Sequence, residues 1–363
     1  MYIFTAILSV SLIFALIKPA HFLGLVDKPD HRKSHVGEIP LVGGLGIVGA
    51  FTLSLSLFNA WHGFIDILIF PLLALFGISL LDDRLQLSAR LRLVVQIIAA
   101  TYLFLFGNVR ITHLGNLLGF GDIHLGLPFS YTLTVMGIVG GINALNMSDG
   151  LDGLAGGISL VALVFFGFAA NKVGLTQDCL QLFTMAAAVG GFLLLNLRTP
   201  WRSRAQVFMG DAGSMSLGLY LSCMAIRLST PAAHALHPVS ALWILALPIT
   251  DTVVVMFRRI LKGRNPFSPD QEHLHHILQR AGFSVQNTVF LLLTFSLVLG
   301  WIGLSGSWSA TPDYLLFAGF MLVVFIHILI TQHAWKVMRF IKSLRQKNQV
   351  EKLPAMESFE KPH

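Results

Sequence analysis

Two amides and two carboxylates occur at three-residue spacing within residues 143–157, NALNMSDGLDGLAGG. They are Asn143, Asn146, Asp149 and Asp152. The runs on either side, 131–142 and 158–170, are almost wholly apolar. Polar and ionisable groups at membrane depth are costly, so their presence there indicates a function. Carboxylate, amide and water oxygens suit a hard cation such as Mg²⁺, which takes one or two protein oxygens together with substrate phosphates. The segment therefore predicts one wall of a metal and phosphate site.

Further acids and a histidine cluster lie at the ends of other apolar runs, in GISLLDDRLQLSARLR, VFMGDAGSMSLG and NPFSPDQEHLHHIL. They are Asp82, Asp83, Asp211, His273, His275 and His276. Taken singly, each has a structural alternative, because Asp is a favoured helix N-cap and histidines are common on surfaces. Asn143 and Asn146 could equally join helices through hydrogen bonds. Taken together, the acids and histidines exceed what capping needs, which favours a functional site.

Basic side chains occur in the same segments and in the loop after the first apolar run. They are Lys33, His35, Arg204, Arg258, Arg259 and Arg264. Carboxylates with a metal, ringed by Lys, Arg and His, are typical of a site that handles phosphate groups. No Walker-type loop is present, which argues against ATP hydrolysis. Cys179 and Cys223 are far apart and match no zinc or redox spacing.

The elements that must position these residues are membrane-spanning helices. The chain has 363 residues, of which 55% are hydrophobic and 12% charged, and its mean hydropathy is +0.72. Soluble globular proteins carry about 25% charged residues. Repeated apolar runs predict an all-α, polytopic integral membrane protein with about eleven transmembrane helices. The runs lie near residues 2–18, 41–61, 64–81, 91–107, 127–147, 151–170, 182–197, 213–229, 237–257, 288–304 and 313–333.

The distribution of Lys and Arg predicts the topology. When the loops between the runs are assigned alternately to the two sides, one side holds all of the 25 basic residues except Arg110, Lys172 and Arg227. Under the positive-inside rule this side is cytoplasmic, so the N-terminus is predicted outside and the C-terminus in the cytoplasm. The net charge of +7 then reflects topology and not nucleic-acid binding. Residues 1–335 are predicted as one transmembrane catalytic domain with cytoplasmic site loops, and 336–363 as a basic cytoplasmic tail.

The motif segments, taken together, resemble the signature loops of the polyprenyl-phosphate N-acetylhexosamine-1-phosphate transferases. The resemblance covers LDDRLQLSARLRLVVQ, NALNMSDGLDGLAGG, VFMGDAGS and PFSPDQEHLHHIL, with DKPDHRKSHVGEIPLVGGLG as the first cytoplasmic loop. The loop NPFSPDQEHLHHILQRAGFS most resembles the bacterial branch that transfers N-acetylglucosamine 1-phosphate. The sister branch that uses UDP-MurNAc-pentapeptide is a poorer match, because its histidine loop differs.

The resemblance implies a reaction and a location. An oxygen of undecaprenyl phosphate attacks the β-phosphorus of UDP-GlcNAc, UMP leaves, and GlcNAc-diphospho-undecaprenol stays in the membrane. This is the first membrane step of O-antigen and enterobacterial common antigen type glycan synthesis. The implied cofactor is Mg²⁺, with Mn²⁺ as an alternative. The implied location is the bilayer of the bacterial inner membrane, with a periplasmic N-terminus and the active site on the cytoplasmic face.

The resemblance also implies roles for individual residues. Asp211 matches the family's metal ligand, and Asn146 matches an amide beside the metal and the diphosphate. Asp82 and Asp83 match an acidic pair assigned to the lipid phosphate or the catalytic centre, so Asp82, Asp83 and Asp211 are the expected catalytic residues. The expected substrate-binding residues include Asp152 at the uracil, Phe208 stacked on it, and the histidines near the diphosphate and sugar. In full they are Lys33, His35, Asn143, Asp149, Asp152, Phe208, Arg264, His273, His275 and His276.

Several alternatives stay open on sequence alone. The same chemistry could use another UDP-N-acetylhexosamine, since no residue discriminates the sugar on physical grounds. A secondary transporter also has Gly-rich interrupted helices and membrane acids, although no internal repeat is evident and the acids lie at helix ends. Asp251 lies inside the ninth run, after Pro248, and has no assigned role. Asp82 and Asp83 could act as a base or could orient the lipid phosphate. A homodimer is also left open.

Overall fold

The computed structural model of the protein describes residues 1–27, 37–261, 263 and 273–333. Within these ranges the chain forms thirteen helices and one antiparallel pair of two-residue strands. The nearly all-helical architecture confirms the predicted class, while the strand pair is an addition to it. The elements are α1 Tyr2–Leu23, β1 Val26–Asp27, β2 Ile39–Pro40, α2 Gly43–Leu57, α3 Ile65–Leu85, α4 Ala89–Phe106, α5 Leu127–Met147, α6 Leu154–Lys172, α7 Thr176–Asn196, α8 Gly210–Leu228, α9 Pro238–Ile244, α10 Ala246–Leu261, α11 Leu274–Arg280, α12 Val285–Trp308 and α13 Asp313–Gln332.

Eight of the described helices are long and apolar enough to cross a membrane, and the bent pair α9–α10 would make a ninth. Each of the eleven predicted runs contains a helix, but α2 and α8 do not meet this criterion. The 15 residues of α2 extend about 22 Å, less than the roughly 30 Å hydrocarbon core. Residues 212–225 of α8 are all buried. Because α8 faces protein and not lipid, its small and polar residues do not contact the hydrocarbon core, and the helix can be less hydrophobic than one that faces lipid.

The ninth predicted run is not one continuous helix. It divides into α9 and α10, which meet at an angle of 85°. Pro248 gives the physical reason, because a proline ring clashes with the carbonyl four residues earlier and has no N–H to donate. That carbonyl belongs to Ile244, the last residue of α9. In α10 the proline lies in the first turn, where it is tolerated.

The buried helix α8 packs against α2, α3, α5 and α6. Its approach to α2 requires glycine, since a Cβ on Gly44 would lie 2.5 Å from the backbone nitrogen of Gly213. The segment before α8 is also bonded to the start of α2. Gly43 N donates to Phe208 O and Gly44 N donates to Met209 O, both at 2.9 Å. The motif segments IPLVGGLG and VFMGDAGS are therefore joined backbone to backbone.

Candidate active site

Three helix ends meet at one end of the bundle. The last turns of α3 and α5 carry Asp82, Asp83 and Asn146, and the first turn of α8 carries Asp211. Both α3 and α5 pack against α8, which brings these ends together. Asp83 and Asp211 are hydrogen-bonded although 128 positions separate them in the chain. The structure thus gathers the predicted catalytic residues and the predicted metal ligands into one cluster.

Asp211 is the centre of this cluster. Its Oδ1 accepts a hydrogen bond from Asn146 Nδ2 at 2.9 Å, and its Oδ2 accepts one from Arg92 Nη1 at 2.8 Å. Asn146 Nδ2 also donates to Ser214 Oγ, one turn along α8, at 2.9 Å. The carboxylate is therefore held from two sides, and about a third of the Asp211 side chain is exposed to solvent.

Asp83 caps the helix that carries Asp211. Its two carboxylate oxygens accept from the backbone N–H groups of Asp211 at 2.8 Å and Ala212 at 3.2 Å. These N–H groups have no partner within the helix, and a negative charge there is favoured by the helix dipole. Gly210 allows this approach, since it has φ +72° and a Cβ would lie 2.7 Å from Asp83 Oδ2. The helix cap suggested by the sequence is thus Asp83 and not Asp211. By capping α8, Asp83 fixes the backbone at Asp211.

Asp82 is buried and shares a partner with Asp211. Its Oδ1 accepts from Leu87 N at 2.6 Å, and its Oδ2 accepts from Arg92 Nη1 at 2.8 Å. One guanidinium nitrogen of Arg92 therefore bridges two carboxylates from different helices. The sequence prediction uses Arg92 only for topology. A sequence signal does exist, because Arg90 and Arg92 lie in the first turn of α4, where the helix dipole disfavours cations.

The turn between α5 and α6 carries the predicted nucleotide-binding residues. Asp152 Oδ2 accepts from Arg198 Nε at 2.6 Å and from the backbone N–H of Ala205 at 3.2 Å. The turn is thereby joined to the segment between α7 and α8, in which Phe208 is partly buried. Arg204 is the nearby cation predicted from the sequence, whereas the cation that pairs with Asp152 is Arg198.

Asp149 belongs to this turn, and its side chain is accessible to solvent. Desolvation by nearby protein, followed by the negative charges of Asp211, Asp83 and Asp152, raises the pKa of the Asp149 carboxyl to about 7. Asn143 lies one turn deeper and donates to Gln96 Oε1 at 2.7 Å and to Val139 O at 2.8 Å. The structure places Asn143 in a helix-joining role and does not bring it into the carboxylate cluster.

The histidine cluster reaches the same turn. His275 packs on Gly150, where a Cβ would lie 2.5 Å from His275 Nε2. Burial, followed by the neighbouring charge of His276, lowers the pKa of His275 to about 3, so its imidazole is neutral. The rings of His275 and His276 lie 4.2 Å apart. His273 Nδ1 pairs with Asp251 Oδ2 at 2.8 Å. Lys33, His35 and Arg264 lie outside the described residues.

The donor atoms of the cluster fit a hard cation. Within residues 1–27, 37–261, 263 and 273–333, no three acidic, histidine or cysteine side chains are grouped so as to hold a metal by themselves. A magnesium ion needs fewer, since it commonly takes one or two carboxylates and completes its shell with phosphate oxygens and water. Asp211 supplies such a carboxylate, and Asn146, whose Nδ2 donates to Asp211, could add its amide oxygen as a second ligand.

The fold and the site are those of a multi-pass membrane protein with a carboxylate cluster at one end of its helix bundle. The sequence model of glycosyl transferase family 4 matches residues 65–229, which include the carboxylate cluster and the turn between α5 and α6. This match favours a transferase over a transporter.

Curated relatives extend the match to nearly the whole chain. The chain is 36% identical to the undecaprenyl-phosphate alpha-N-acetylglucosaminyl 1-phosphate transferase of Escherichia coli strain K12, covering 92% of this chain and 91% of the relative. It is 35% identical to the proteins of that name from Salmonella typhimurium, over 95% and 93%, and Haemophilus influenzae, over 95% and 97%. The chain belongs to the polyprenyl-phosphate N-acetylhexosamine-1-phosphate transferase family.

Proposed function

We propose that the chain transfers N-acetylglucosamine 1-phosphate from UDP-GlcNAc to undecaprenyl phosphate, giving GlcNAc-diphospho-undecaprenol and UMP. The observation that carries this proposal is the cluster in which Asp211 accepts from Asn146 and Arg92 at one end of a membrane bundle. The names of the relatives support this choice of lipid and sugar phosphate. In a cell, the reaction would be the first membrane step of O-antigen or enterobacterial common antigen type glycan synthesis.

In this proposal Asp211 and Asn146 would hold Mg²⁺, or alternatively Mn²⁺, beside the diphosphate of UDP-GlcNAc. The cation would neutralise charge on the diphosphate and on the departing UMP. Asp83 supports this arrangement by fixing the backbone at Asp211. Arg92 holds the Asp211 and Asp82 carboxylates at a set distance and adds positive charge where two anionic substrates must meet.

The lipid phosphate needs little activation. A phosphate monoester has its second pKa near 6, so the attacking oxygen is largely ionised at neutral pH. Asp82 and Asp83 therefore orient the groups of the site and do not act as strong bases. Their hydrogen bonds agree with this role, because each carboxylate accepts at least one backbone N–H that fixes its direction. The bonds that change are at phosphorus, so the anomeric configuration of the sugar is retained.

The proposal places this end of the bundle on the cytoplasmic face of the bacterial inner membrane, with the N-terminus in the periplasm. The basic residues support this orientation, since Arg92, Arg198 and Arg202 all lie at the site end. Residues 1–335 would form the catalytic domain. The basic tail, 336–363, lies outside the described residues. The partners are the two substrates and the bilayer, not nucleic acid, and a homodimer is left open.

A panel of donor sugars tests the proposed substrate. Purified protein in detergent, given undecaprenyl phosphate and Mg²⁺, is expected to transfer from UDP-GlcNAc at least about tenfold faster than from UDP-GalNAc or UDP-glucose, a difference of about 1.4 kcal/mol in transition-state binding. Lipid-linked product and UMP are measured by chromatography, and an EDTA sample is the control. Equal rates from UDP-GlcNAc and UDP-GalNAc would show that the enzyme is not specific for UDP-GlcNAc and would support the alternative of another UDP-N-acetylhexosamine as donor. Uptake of a solute into liposomes without any transfer would support the transporter alternative.

The Asp152→Ala variant tests the nucleotide end of the site. Loss of the carboxylate removes the partner of Arg198 and frees the segment that carries Phe208, so nucleotide affinity is expected to fall about tenfold, with a smaller change in kcat. Binding of UDP to the purified protein is measured by calorimetry, with the exposed Asp122→Ala at the opposite end as the control. Unchanged UDP affinity in Asp152→Ala would remove this residue from the nucleotide site.

A further inference from the structure

A buried carboxylate that the proposed reaction does not use lies inside α10. Asp251 is 6% exposed, and its Oδ2 accepts from His273 Nδ1 at 2.8 Å, while its Oδ1 accepts from the backbone N–H of Leu274 at 3.0 Å. His327 Nε2, from α13, lies 3.3 Å from the same Oδ1. A buried charge of this kind is costly unless it is paired, and here it is paired with a segment that reaches the active site.

The hydrogen bond to Asp251 fixes which ring nitrogen of His273 carries a proton. A carboxylate accepts only, so His273 Nδ1 must donate, and Nε2 is left to face the other way. His273 is itself buried and is the residue directly before α11. The same carboxylate accepts the N–H of Leu274, the first residue of that helix. Asp251 therefore sets both the ring orientation of His273 and the starting point of α11.

This starting point determines where the next histidine lies. His275 is two residues further along, its ring is parallel to that of His273 at 5.8 Å, and it packs on Gly150. Gly150 belongs to the turn that also carries Asp149 and Asp152. A continuous set of contacts thus connects the middle of a membrane helix to the wall of the proposed diphosphate site.

We propose that Asp251 is a positioning residue that presents His273 in one tautomer to the sugar diphosphate and docks the histidine segment on the 148–153 turn. This inference rests on the proposed function, because it assigns the diphosphate as the group that the histidines meet. Carboxylates that orient a metal-ligating histidine in this way typically contribute about 10- to 100-fold to metal affinity or activity, and we expect an effect of the same order here.

A purely structural role for Asp251 is the competing explanation, and Asp178 provides a matched control. Asp178 is 2% exposed, lies in α7, and forms an ion pair with Arg227 through contacts of 2.9 and 3.0 Å. It lies in the first turn of α7, at the opposite end of that helix from Asn196 and the site residue Arg198. Asp178→Asn removes an equally buried, paired carboxylate, so it reports the effect of such a loss on folding alone.

The test compares kcat, KM and thermal unfolding of the purified full-length variants with UDP-GlcNAc and undecaprenyl phosphate. Asp251→Asn is expected to lower kcat about 10- to 100-fold while KM changes less than about twofold. Asp251→Glu is expected to recover part of that loss. Asp178→Asn is expected to lower the unfolding temperature but to keep kcat per folded molecule.

A double-mutant cycle distinguishes positioning from structure. In a His273→Gln background, Asp251→Asn is expected to cause no further loss of kcat, because an asparagine oxygen can still accept the Leu274 N–H and the remaining effect passes through His273. If Asp251→Asn does not fold, Asp251→Glu enters the same cycle. Wild-type kcat in Asp251→Asn, or its full effect persisting beside His273→Gln, would overturn the inference. Failure of the wild-type protein to transfer GlcNAc 1-phosphate would instead overturn the proposed function.

Discussion

The Asp211→Asn variant is expected to lose at least about 10³-fold in kcat, because a metal ion that neutralises a diphosphate contributes several kcal/mol to the transition state. Asparagine has almost the same shape, so Asn146 and Ser214 can keep their positions while the negative charge is lost. The loss should appear in transfer and in the affinity for Mg²⁺, measured together on purified protein by product formation and by cation titration.

The control for this variant is Asp66→Asn. Asp66 is an exposed acid in the first turn of α3, at the opposite end of that helix from Asp82. It is expected to leave both transfer and Mg²⁺ affinity unchanged. If Asp211→Asn keeps its dependence on Mg²⁺ with wild-type affinity, then Asp211 is not a metal ligand and the central residue of the proposed site is misassigned.

Arg92→Gln is expected to have the second-largest effect, a fall in kcat of about 10²- to 10³-fold, similar to the loss of one preorganised hydrogen-bond donor in other active sites. The substitution leaves the carboxylates of Asp82 and Asp211 facing one another without the cation between them. Two consequences follow, since the carboxylates repel one another and the anionic substrates lose a positive charge. The rate is measured under single-turnover conditions, so that product release does not hide the chemical step.

Arg90→Gln is a matched control for this change. Arg90 lies two residues earlier in the same first turn of α4 and is exposed. It removes one positive charge from the same helix end without touching the cluster. Equal losses of kcat in Arg90→Gln and Arg92→Gln would mean that the total positive charge at this face matters, and that the Arg92 bridge between Asp82 and Asp211 does not.

The sequence predicts the parts of the site that local patterns can reveal. Asp82, Asp83, Asn146 and Asp211 can be picked out because they are polar residues at the ends of apolar runs. Such residues are rare in membrane segments, since burying them there costs free energy. Hydropathy likewise locates a helix in every predicted run. Even the capping alternative is partly right, although the cap is Asp83 acting on a distant helix and not Asp211 acting on its own.

The sequence does not predict the partners that these residues choose. Arg92 and Arg198 are two of many basic residues, and their pairing with Asp211 and Asp152 depends on packing between helices that are far apart in the chain. Nor do local patterns show that Asp251 meets His273, 22 residues later. Long-range contacts of this kind follow from the assembled bundle and have no signature in a single segment.

One prediction is wrong for a physical reason. The run at 237–257 is continuous in hydropathy, so the break at Leu245 is visible only if Pro248 is weighed against the helix that it interrupts. Asn143 shares the spacing of Asn146 and Asp149, yet its amide donates to Gln96, and its substrate-binding role stays a prediction. A three-residue spacing on a helix rotates successive side chains by about 60° away from one face, so an even spacing does not guarantee a shared site.

The fate of the β-phosphorus of UDP-GlcNAc distinguishes transfer of a sugar phosphate from transfer of a sugar alone. Purified protein is mixed with undecaprenyl phosphate, Mg²⁺ and UDP-GlcNAc labelled with ³²P at the β-phosphorus, in a single turnover. We expect the label to move to the lipid phase together with the sugar, with equimolar UMP in the aqueous phase and none of this in the Asp211→Asn variant. Label that stays in the aqueous phase as UDP would show transfer of a sugar without its phosphate and would overturn the proposed reaction.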